Sequence, residues 1–351
     1  LILQPTYAHS KLYFGEVGLK GNFYMPSISV IIPVYNRAGL IGPVIEALLN
    51  QQTPPQLLPS PIEIIIVDDG STDNTGDVVR SYPVKYIRQE NRGPASARNR
   101  GFRESKGEIV AFIDSDCIAR PDWLEKLLSG FDSPEVGAVA GSYDIANPES
   151  LLSRLIHAEI KWRHSRFSRF IRAFGSYNVA IRREVFEGLG GFDETYRTAS
   201  GEDNDLSYRL LKAGYKIRFV PQALVAHYHT EKLFKYLKEQ FRHAFWRMKL
   251  YKDHPEMAKG DDYTVLKDIL EMPLAGLSVA GIPFLFSDYF YVEILLFLCL
   301  FFLSFPLSLR LILRNRAPEY ILIMPLLTIR SFVRLAGMIK GLLYFWIGSR
   351  D

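Results

Sequence analysis

Apolar residues fall along the chain in two regimes. Up to about residue 270 they come in short runs, each closed by a polar cluster; beyond it they run on with few interruptions. In the first regime, the runs at 27–33 (SISVIIP), 62–67 (IEIIIV), 84–88, 109–113 and 136–141 predict strands. A short continuous apolar run bounded by turn residues fits a strand covered on both faces. Segments 40–51, 72–81, 94–105 and 122–130 predict helices between them. Pro94 suits a first helical turn, and Asp73 suits the positive end of a helix dipole. The alternation predicts an α/β sheet with helices on both faces. The pattern then loosens. Segment 149–172 reads as an Arg-rich helix or loop, 173–181 as a strand, 203–213 as a helix ending near Gly214, and 217–220 and 224–229 as two short strands. Segment 231–252 predicts a helix with aromatics on several faces among many bases. It fits a helix lying on a membrane surface or a packed amphipathic one.

In the second regime, residues 289–309 contain one charge, Glu293. About 20 such residues span about 30 Å as a helix, the thickness of a bilayer core. Residues 272–287 form a shorter apolar run, and 320–347 a third, interrupted by Arg330, Arg334 and Lys340. A buried hairpin in a soluble fold is the alternative, but it must hide a long charge-poor run. Lys259 and Lys267 precede the first run, and Arg310, Arg314 and Arg316 follow the second. Two crossings put both basic groups on one side, the cytoplasmic side of a cell membrane, together with the first regime. The third run either crosses or lies along the interface, since mid-bilayer charges are costly. The expected organisation is an extension or remnant at 1–24, a catalytic domain at 25–230, an interfacial helix and linker at 231–270, and membrane helices at 271–351. Residues 1–24 lack a clean apolar stretch followed by a small-residue cleavage site.

Composition narrows the function. The net charge of +4 on 351 residues is spread without a basic run, which argues against nucleic acid as partner. Cys117 and Cys299 are the only cysteines and lie far apart, so no disulfide framework or cysteine zinc site is expected. No G-x-G-x-x-G follows the first strand, which argues against a dinucleotide oxidoreductase.

Ligands of open α/β sheets sit outside the carboxyl ends of the strands. Three predicted strand ends are polar: Pro33-Val34-Tyr35-Asn36-Arg37, Asp68-Asp69-Gly70, and Asp114-Ser115-Asp116. Crowded carboxylates cost free energy unless a cation or donor answers them. An extended backbone aims Asp114 and Asp116 to opposite sides, so a turn is needed for one to reach a metal. Carboxylates suit Mg²⁺ or Mn²⁺, ions that also bind substrate phosphates. Segment 91–101 (NRGPASARNRG) sets Arg92, Arg98 and Arg100 around a helix start, where phosphate is favoured. The cluster Glu202-Asp203-Asn204-Asp205 holds more acid than a cap requires, so one carboxylate is a candidate general base. His227 and His229 share one face of a strand pattern.

The segments SVIIPVYNR (29–37), VDDGSTDNT (67–75), GPASARNRG (93–101), FIDSDC (112–117), GGFDE (190–194) and GEDNDLSYRL (201–210) together resemble glycosyltransferase family 2. The resemblance implies a GT-A fold, a Rossmann-like, mostly parallel sheet with flanking helices, here followed by C-terminal membrane helices. It implies that Pro33, Tyr35 and Asp68 line the base pocket, with Val34, Asn36, Arg37, Arg92, Gly93 and Ser115 around the nucleotide. Arg98 would lie near the base or pyrophosphate, and Asp114 by the ribose. Asp116 would bind Mg²⁺ or Mn²⁺, joined by His227. Asp203 would be the catalytic base with Glu202 beside it, and Asn178, Gly191 and Asp193 would face sugar or acceptor. The donor implied is a UDP- or GDP-sugar, with a hexose such as mannose or glucose, and the reaction inverts the anomeric centre. The membrane segments point to a lipid-linked glycan acceptor beside the bilayer. Residues 240–246 (QFRHAFW) break the Q-x-x-R-W spacing of processive members. Two other expectations stand beside this one: a polyprenyl-phosphate sugar synthase, and an inactive membrane-anchored binder of sugar nucleotides.

Overall fold

The structure, a computed structural model, describes residues 27–52, 62–198 and 200–348; the expected extension at 1–24 lies outside them. Its strands are β1 (Ile28–Val34), β2 (Glu63–Asp68), β3 (Lys85–Arg88), β4 (Ile109–Ile113), β5 (Cys117–Ala119), β6 (Val136–Ile145), β7 (Phe170–Ile171), β8 (Asn178–Arg182) and β9 (Lys216–His227). They form one sheet in the order β3-β2-β1-β4-β8-β6-β9-β5, with β7 on the side of β9. The half containing β3, β2, β1 and β4 is parallel. The other half is mixed: β8 runs antiparallel to β4 and β6, β6 parallel to β9, and β5 antiparallel to β9.

Helices α1 (Ile41–Leu49), α2 (Thr75–Arg80), α3 (Pro94–Arg103), α4 (Trp123–Leu128), α5 (Leu151–His164), α6 (Arg183–Gly188) and α7 (Glu202–Lys212) flank the sheet. Successive strand residues point to opposite faces. Val30 therefore joins Ile45, Trp123 and Leu127 in one core, while Ile31 joins Val67, Phe112, Phe186 and Leu206 in the other. Every residue of β1 and β4 is buried, which is why these strands read as unbroken apolar runs. A Cβ on Gly101 of α3 would lie 2.4 Å from the Ile31 side chain, so glycine lets this helix press onto β1.

Several elements differ from expectation. The strands expected at 217–220 and 224–229 are one, β9, which pairs with β6 on both sides of a register shift between Ala140 and Ser142. Gly141 lies in that shift, where a Cβ would sit 2.2 Å from the Ala223 carbonyl oxygen. The strand expected at 173–181 begins only at Asn178. Within 149–172, a helix forms over Leu151–His164, started by Ser150, whose side chain accepts from the Ser153 amide.

The chain continues as α8 (Leu233–Asp253), α9 (Leu266–Gly281), α10 (Phe290–Phe302), α11 (Phe305–Asn315) and α12 (Ile323–Leu342). The second apolar run is thus two helices, meeting at Ser304. Three segments, Leu266–Phe286, Phe290–Asn315 and Pro318–Ile347, are long and apolar enough to cross a membrane. Helix α8 packs against α12. A Cβ on Gly337 would lie 2.4 Å from the Phe241 carbonyl, and one on Gly341 2.5 Å from that of Phe245. Small residues one turn apart let two backbones approach closely.

Arg330 of α12 is buried and donates to Glu159 of α5 at 2.7 and 3.1 Å. Glu159 also accepts from Arg163 at 2.8 Å, and Arg163 donates to Asp268 of α9 at 2.9 Å. These ion pairs tie the sheet's flanking layer to the apolar helices.

Candidate active site

Strands β1, β2 and β4 lie side by side, and polar residues gather at their carboxyl ends. After β1, Asn36 takes a positive φ of 51°. Its carbonyl-type Oδ1 accepts from the Thr72 amide at 2.8 Å, and its own amide donates to Ser71 Oγ at 2.9 Å. After β2, Asp68 accepts from the Ser71 amide at 2.7 Å and from the Tyr86 hydroxyl at 2.6 Å. Burial and the Asp68 carboxylate push the Tyr86 phenol up to about 12, so it stays a donor. Asp69 accepts from the Arg92 and Gly93 amides at 2.9 and 2.8 Å. Gly93 has φ +94°, and a Cβ there would meet the Arg197 carbonyl at 2.5 Å. Both the left-handed backbone and this contact require glycine. The contact holds the chain that leads into α7 against the start of α3.

After β4, the turn at Asp114–Asp116 sends its two acids apart. Asp114 accepts from Arg98 Nη2 at 2.7 Å. Asp116 faces the other way, with Oδ1 3.5 Å from His227 Nε2 and Oδ2 3.6 Å from Arg37. Strand pairing explains the meeting with His227: β5 runs antiparallel to β9 with Cys117 opposite His227. The Tyr228 amide then donates to the Asp116 carbonyl at 2.9 Å. One donor atom from each of Asp116, Cys117 and His227 lies within 4.8 Å of the others. Burial pushes the Cys117 thiol well up, so it stays protonated and is a poor ligand for a hard ion. Asp116 and His227, both partly exposed, fit Mn²⁺ or Mg²⁺ better. Behind them, His227 Nδ1 lies 3.0 Å from His229 Nδ1, and His229 Nε2 lies 3.4 Å from His157.

The acidic cluster at the start of α7 divides by partner. Glu202 is buried and accepts from Arg98 at 2.9 Å and from the Ser200 amide at 2.8 Å. Burial and neighbouring Asp203 raise its carboxyl to about 7, against the pull of Arg98. Asp205 is held by Arg209 at 2.6 Å and by His254 at 2.7 Å. Asp203 has no ion-pair partner among the described residues; it accepts from the Asn204 amide at 2.8 Å. Burial raises its carboxyl above the ordinary range.

Arg98 is 1% exposed and spans Asp114 and Glu202. The guanidinium expected at a phosphate is spent on two carboxylates, and it links the β4 end to α7. Asn178, expected beside the acceptor, is also 1% exposed. Its amide donates to the Ser142 and Ala223 carbonyls at 3.0 and 2.9 Å and accepts from Trp123 Nε1 at 2.7 Å. With these polar atoms satisfied inside the sheet, Asn178 is a structural residue rather than an acceptor contact. Gly191 has φ +76°, and a Cβ there would crowd Asn99 at 2.6 Å. Asp193 accepts from the Thr195 amide at 2.9 Å and from Lys249 at 3.3 Å. Both hold the turn before α7. Tyr35 is 45% exposed, whereas Pro33 and Val34 are buried within β1. Arg92 is exposed and Ser115 is buried.

Sequence reasoning gave no role to Tyr143 or Tyr177. Their rings stack at 3.7 Å, and Tyr143 lies 5.0 Å from the His227 ring. Nothing in their local pattern separates them from core aromatics. The Asp68-Asp69 pair carried a signal for Asp69, since two adjacent acids after a buried strand need two sets of donors.

The chain matches a family model described as "Glycosyl transferase family 2" over residues 29–189 and one described as "Glycosyltransferase like family 2" over 147–263. It is 32% identical over 260 residues to "Probable glycosyltransferase YdaM" of Bacillus subtilis, covering 69% of this chain and 57% of that protein. It is 30% identical over 227 residues to "Glycosyltransferase AglE" of Haloferax volcanii, covering 62% of this chain and 72% of that one. The chain spans about half the length of the first curated relatives it matches. Its fold is similar to that of a mannosyltransferase from Pyrobaculum calidifontis, solved with GDP-Man and Mn²⁺. That match has a TM-score of 0.58 and 21% identity, covering 92% of this chain and 88% of that one. With its mixed GT-A sheet and its strand-end motifs, the chain belongs to glycosyltransferase family 2.

Proposed function

We propose that the protein is an inverting, metal-dependent glycosyltransferase that moves a sugar from a UDP- or GDP-sugar to a hydroxyl of a membrane-embedded, lipid-linked acceptor. The observation that carries this reading is the state of Asp203. It is the one acid of its cluster without a cation among the described residues, desolvated enough to hold a proton more strongly than a free carboxylate. A general base works best when its pKa approaches the working pH.

Asp203 accepts the acceptor's hydroxyl proton. The freed oxygen lone pair forms a bond to the anomeric carbon as the bond from that carbon to the diphosphate oxygen breaks. The nucleoside diphosphate keeps that electron pair, and one displacement inverts the configuration. Arg98 acts as a positioning residue: it fixes Asp114 and Glu202 and so ties the start of α7, with Asp203, to the end of β4. Asp116 and His227 would hold Mn²⁺ or Mg²⁺, which when bound offsets negative charge on the diphosphate. The apolar segments after Leu266 support attachment to a bilayer, with the catalytic part on the cytoplasmic side by the placement of its basic residues. Attachment raises the local concentration of a lipid-borne acceptor.

The test is Asp203→Asn in a transfer assay. Turnover should fall by about 10²- to 10⁴-fold, the usual share of a general base. Nucleotide binding in the presence of Mn²⁺ should persist. Near-normal turnover would remove Asp203 from the role.

A further inference from the structure

A cavity of about 370 Å³ opens where the sheet's flanking layer meets the apolar helices, and none of the acids described above lines it. Trp162 and Arg166 line it from α5 and its C-terminal end, Lys267 and Leu270 from α9, and Leu307 and Arg310 from α11. Its polar groups are almost all donors. Arg166 and Arg310 are exposed, and neither has an acidic partner among the described residues. The Trp162 indole N–H is buried and lacks an acceptor among the described residues. The Arg166 guanidinium lies 5.3 Å from the Trp162 ring. The nearby acids are already spent: Asp268 on Arg163 at 2.7 Å, Glu271 on Lys267 and Ser331. A donor-rich cavity with unanswered positive charge calls for an anion.

The remaining wall is apolar, with Leu270, Leu303 and Leu307. Its depth is informative. Segment Leu266–Phe286 begins at the cavity, and Arg310 lies close to the end of the returning segment Phe290–Asn315. Both are the ends next to the catalytic part, the level at which lipid phosphates lie if these segments span a bilayer.

We infer that this cavity binds the phosphate of an anionic lipid, held by Arg166, Arg310 and the Trp162 N–H, with the lipid's chain along Leu270, Leu303 and Leu307. The inference rests on the bilayer attachment proposed above and not on the identity of the sugar acceptor. It supplies a second anion site, which fixes the catalytic part against the membrane. The same chemistry is offered by bulk anionic phospholipid and by a polyprenyl phosphate.

The full-length chain is mixed with vesicles of phosphatidylglycerol or phosphatidylcholine, each brominated near the top of its acyl chains. Quenching of Trp162 is isolated by subtracting the signal of Trp162→Phe. Quenching should reach half its limit at about tenfold less phosphatidylglycerol than phosphatidylcholine, a ratio in keeping with charge-assisted hydrogen bonds. The double variant Arg166→Gln/Arg310→Gln should lose this preference and keep its Mn²⁺-dependent nucleotide binding. Polyprenyl phosphate competing at lower mole fraction than phosphatidylglycerol supports the site and names a carrier lipid. Equal competition supports the site and names the bulk headgroup. Equal quenching by both brominated lipids, or a preference that survives in the double variant, overturns the inference. So does displacement by inorganic phosphate alone at matching concentration. Failure of the chain to float with any vesicle overturns the bilayer attachment instead, which keeps the two failures distinct.

Discussion

The sheet region and the C-terminal helices distribute their apolar surface in opposite ways. In the catalytic part the sheet is apolar within and polar at its rim. Apart from Tyr35, Leu49, Leu233 and Phe234, every exposed large hydrophobic among the described residues lies at Leu266 or beyond. In the helices the order reverses. Phe286 is 90% exposed, whereas Glu271, Ser331 and Arg330 are buried. Water rewards the first arrangement and hydrocarbon the second. The two regions are joined by charge rather than by apolar packing alone, through Glu159, Arg163, Arg330 and Asp268. Charges that would be costly in mid-bilayer are turned inward and paired.

The sharpest way to break this contrast is to unpair its joint. Glu159→Gln leaves Arg330 and Arg163 buried without their shared carboxylate. It should cost about 3–5 kcal/mol, the usual loss on breaking a buried pair, read by thermal or denaturant unfolding in detergent. Adding Arg330→Met should recover much of that loss; a double variant no better than the single one would show that the pair is not the cause. A second route reverses the solvent test. Leu295 of α10 is 60% exposed. Leu295→Arg should lower membrane insertion by about 2.5–3.5 kcal/mol, measured by a glycosylation-based insertion assay. Unchanged insertion would argue that α10 does not face lipid.

A pH-dependent effect belongs to the sheet region. His164 is buried, with Ser142 Oγ and Tyr263 Oη each 2.7 Å from its ring nitrogens. Burial pushes its imidazole down to about 4. The folded state therefore holds it neutral, while the unfolded chain takes up a proton below about 6.5. Its contribution is intact above pH 6.5 and is lost as pH falls towards 4, at up to about 1.4 kcal/mol per pH unit. His164→Gln should flatten the stability profile across this window. An unaltered slope would assign the acid sensitivity elsewhere, for example to His157, which burial also pushes down to about 4.

What was legible in the sequence was what short-range pattern encodes. Strands β1, β2 and β4 showed as apolar runs, and their acidic ends marked the site, because burial on both faces leaves a continuous signal. The membrane-length segments were legible for the same reason. Long-range pairing was not. Arg98 reads as a phosphate ligand until Glu202, 104 residues later, is seen to hold it. Asn178 reads as an acceptor contact until the sheet consumes its amide. The three residues of β5 were too few to show a period, yet β5 is what brings Asp116 to His227. The two expected strands near 217–229 are one continuous strand whose pairing with β6 breaks after Phe219 and resumes at Leu224, and Pro221, which cannot donate to a ladder, sits in that unpaired stretch.

In the proposed mechanism, Asp116 and His227 face one ion within reach of the donor diphosphate. A crystal of the full chain grown with Mn²⁺ and UDP or GDP, with data collected at the manganese edge, tests this directly. An anomalous peak between the Asp116 carboxylate and His227 Nε2, with the diphosphate beside it and Asp203 across from it, is the predicted result. A peak bound elsewhere, or a diphosphate held with no peak at Asp116, would contradict it.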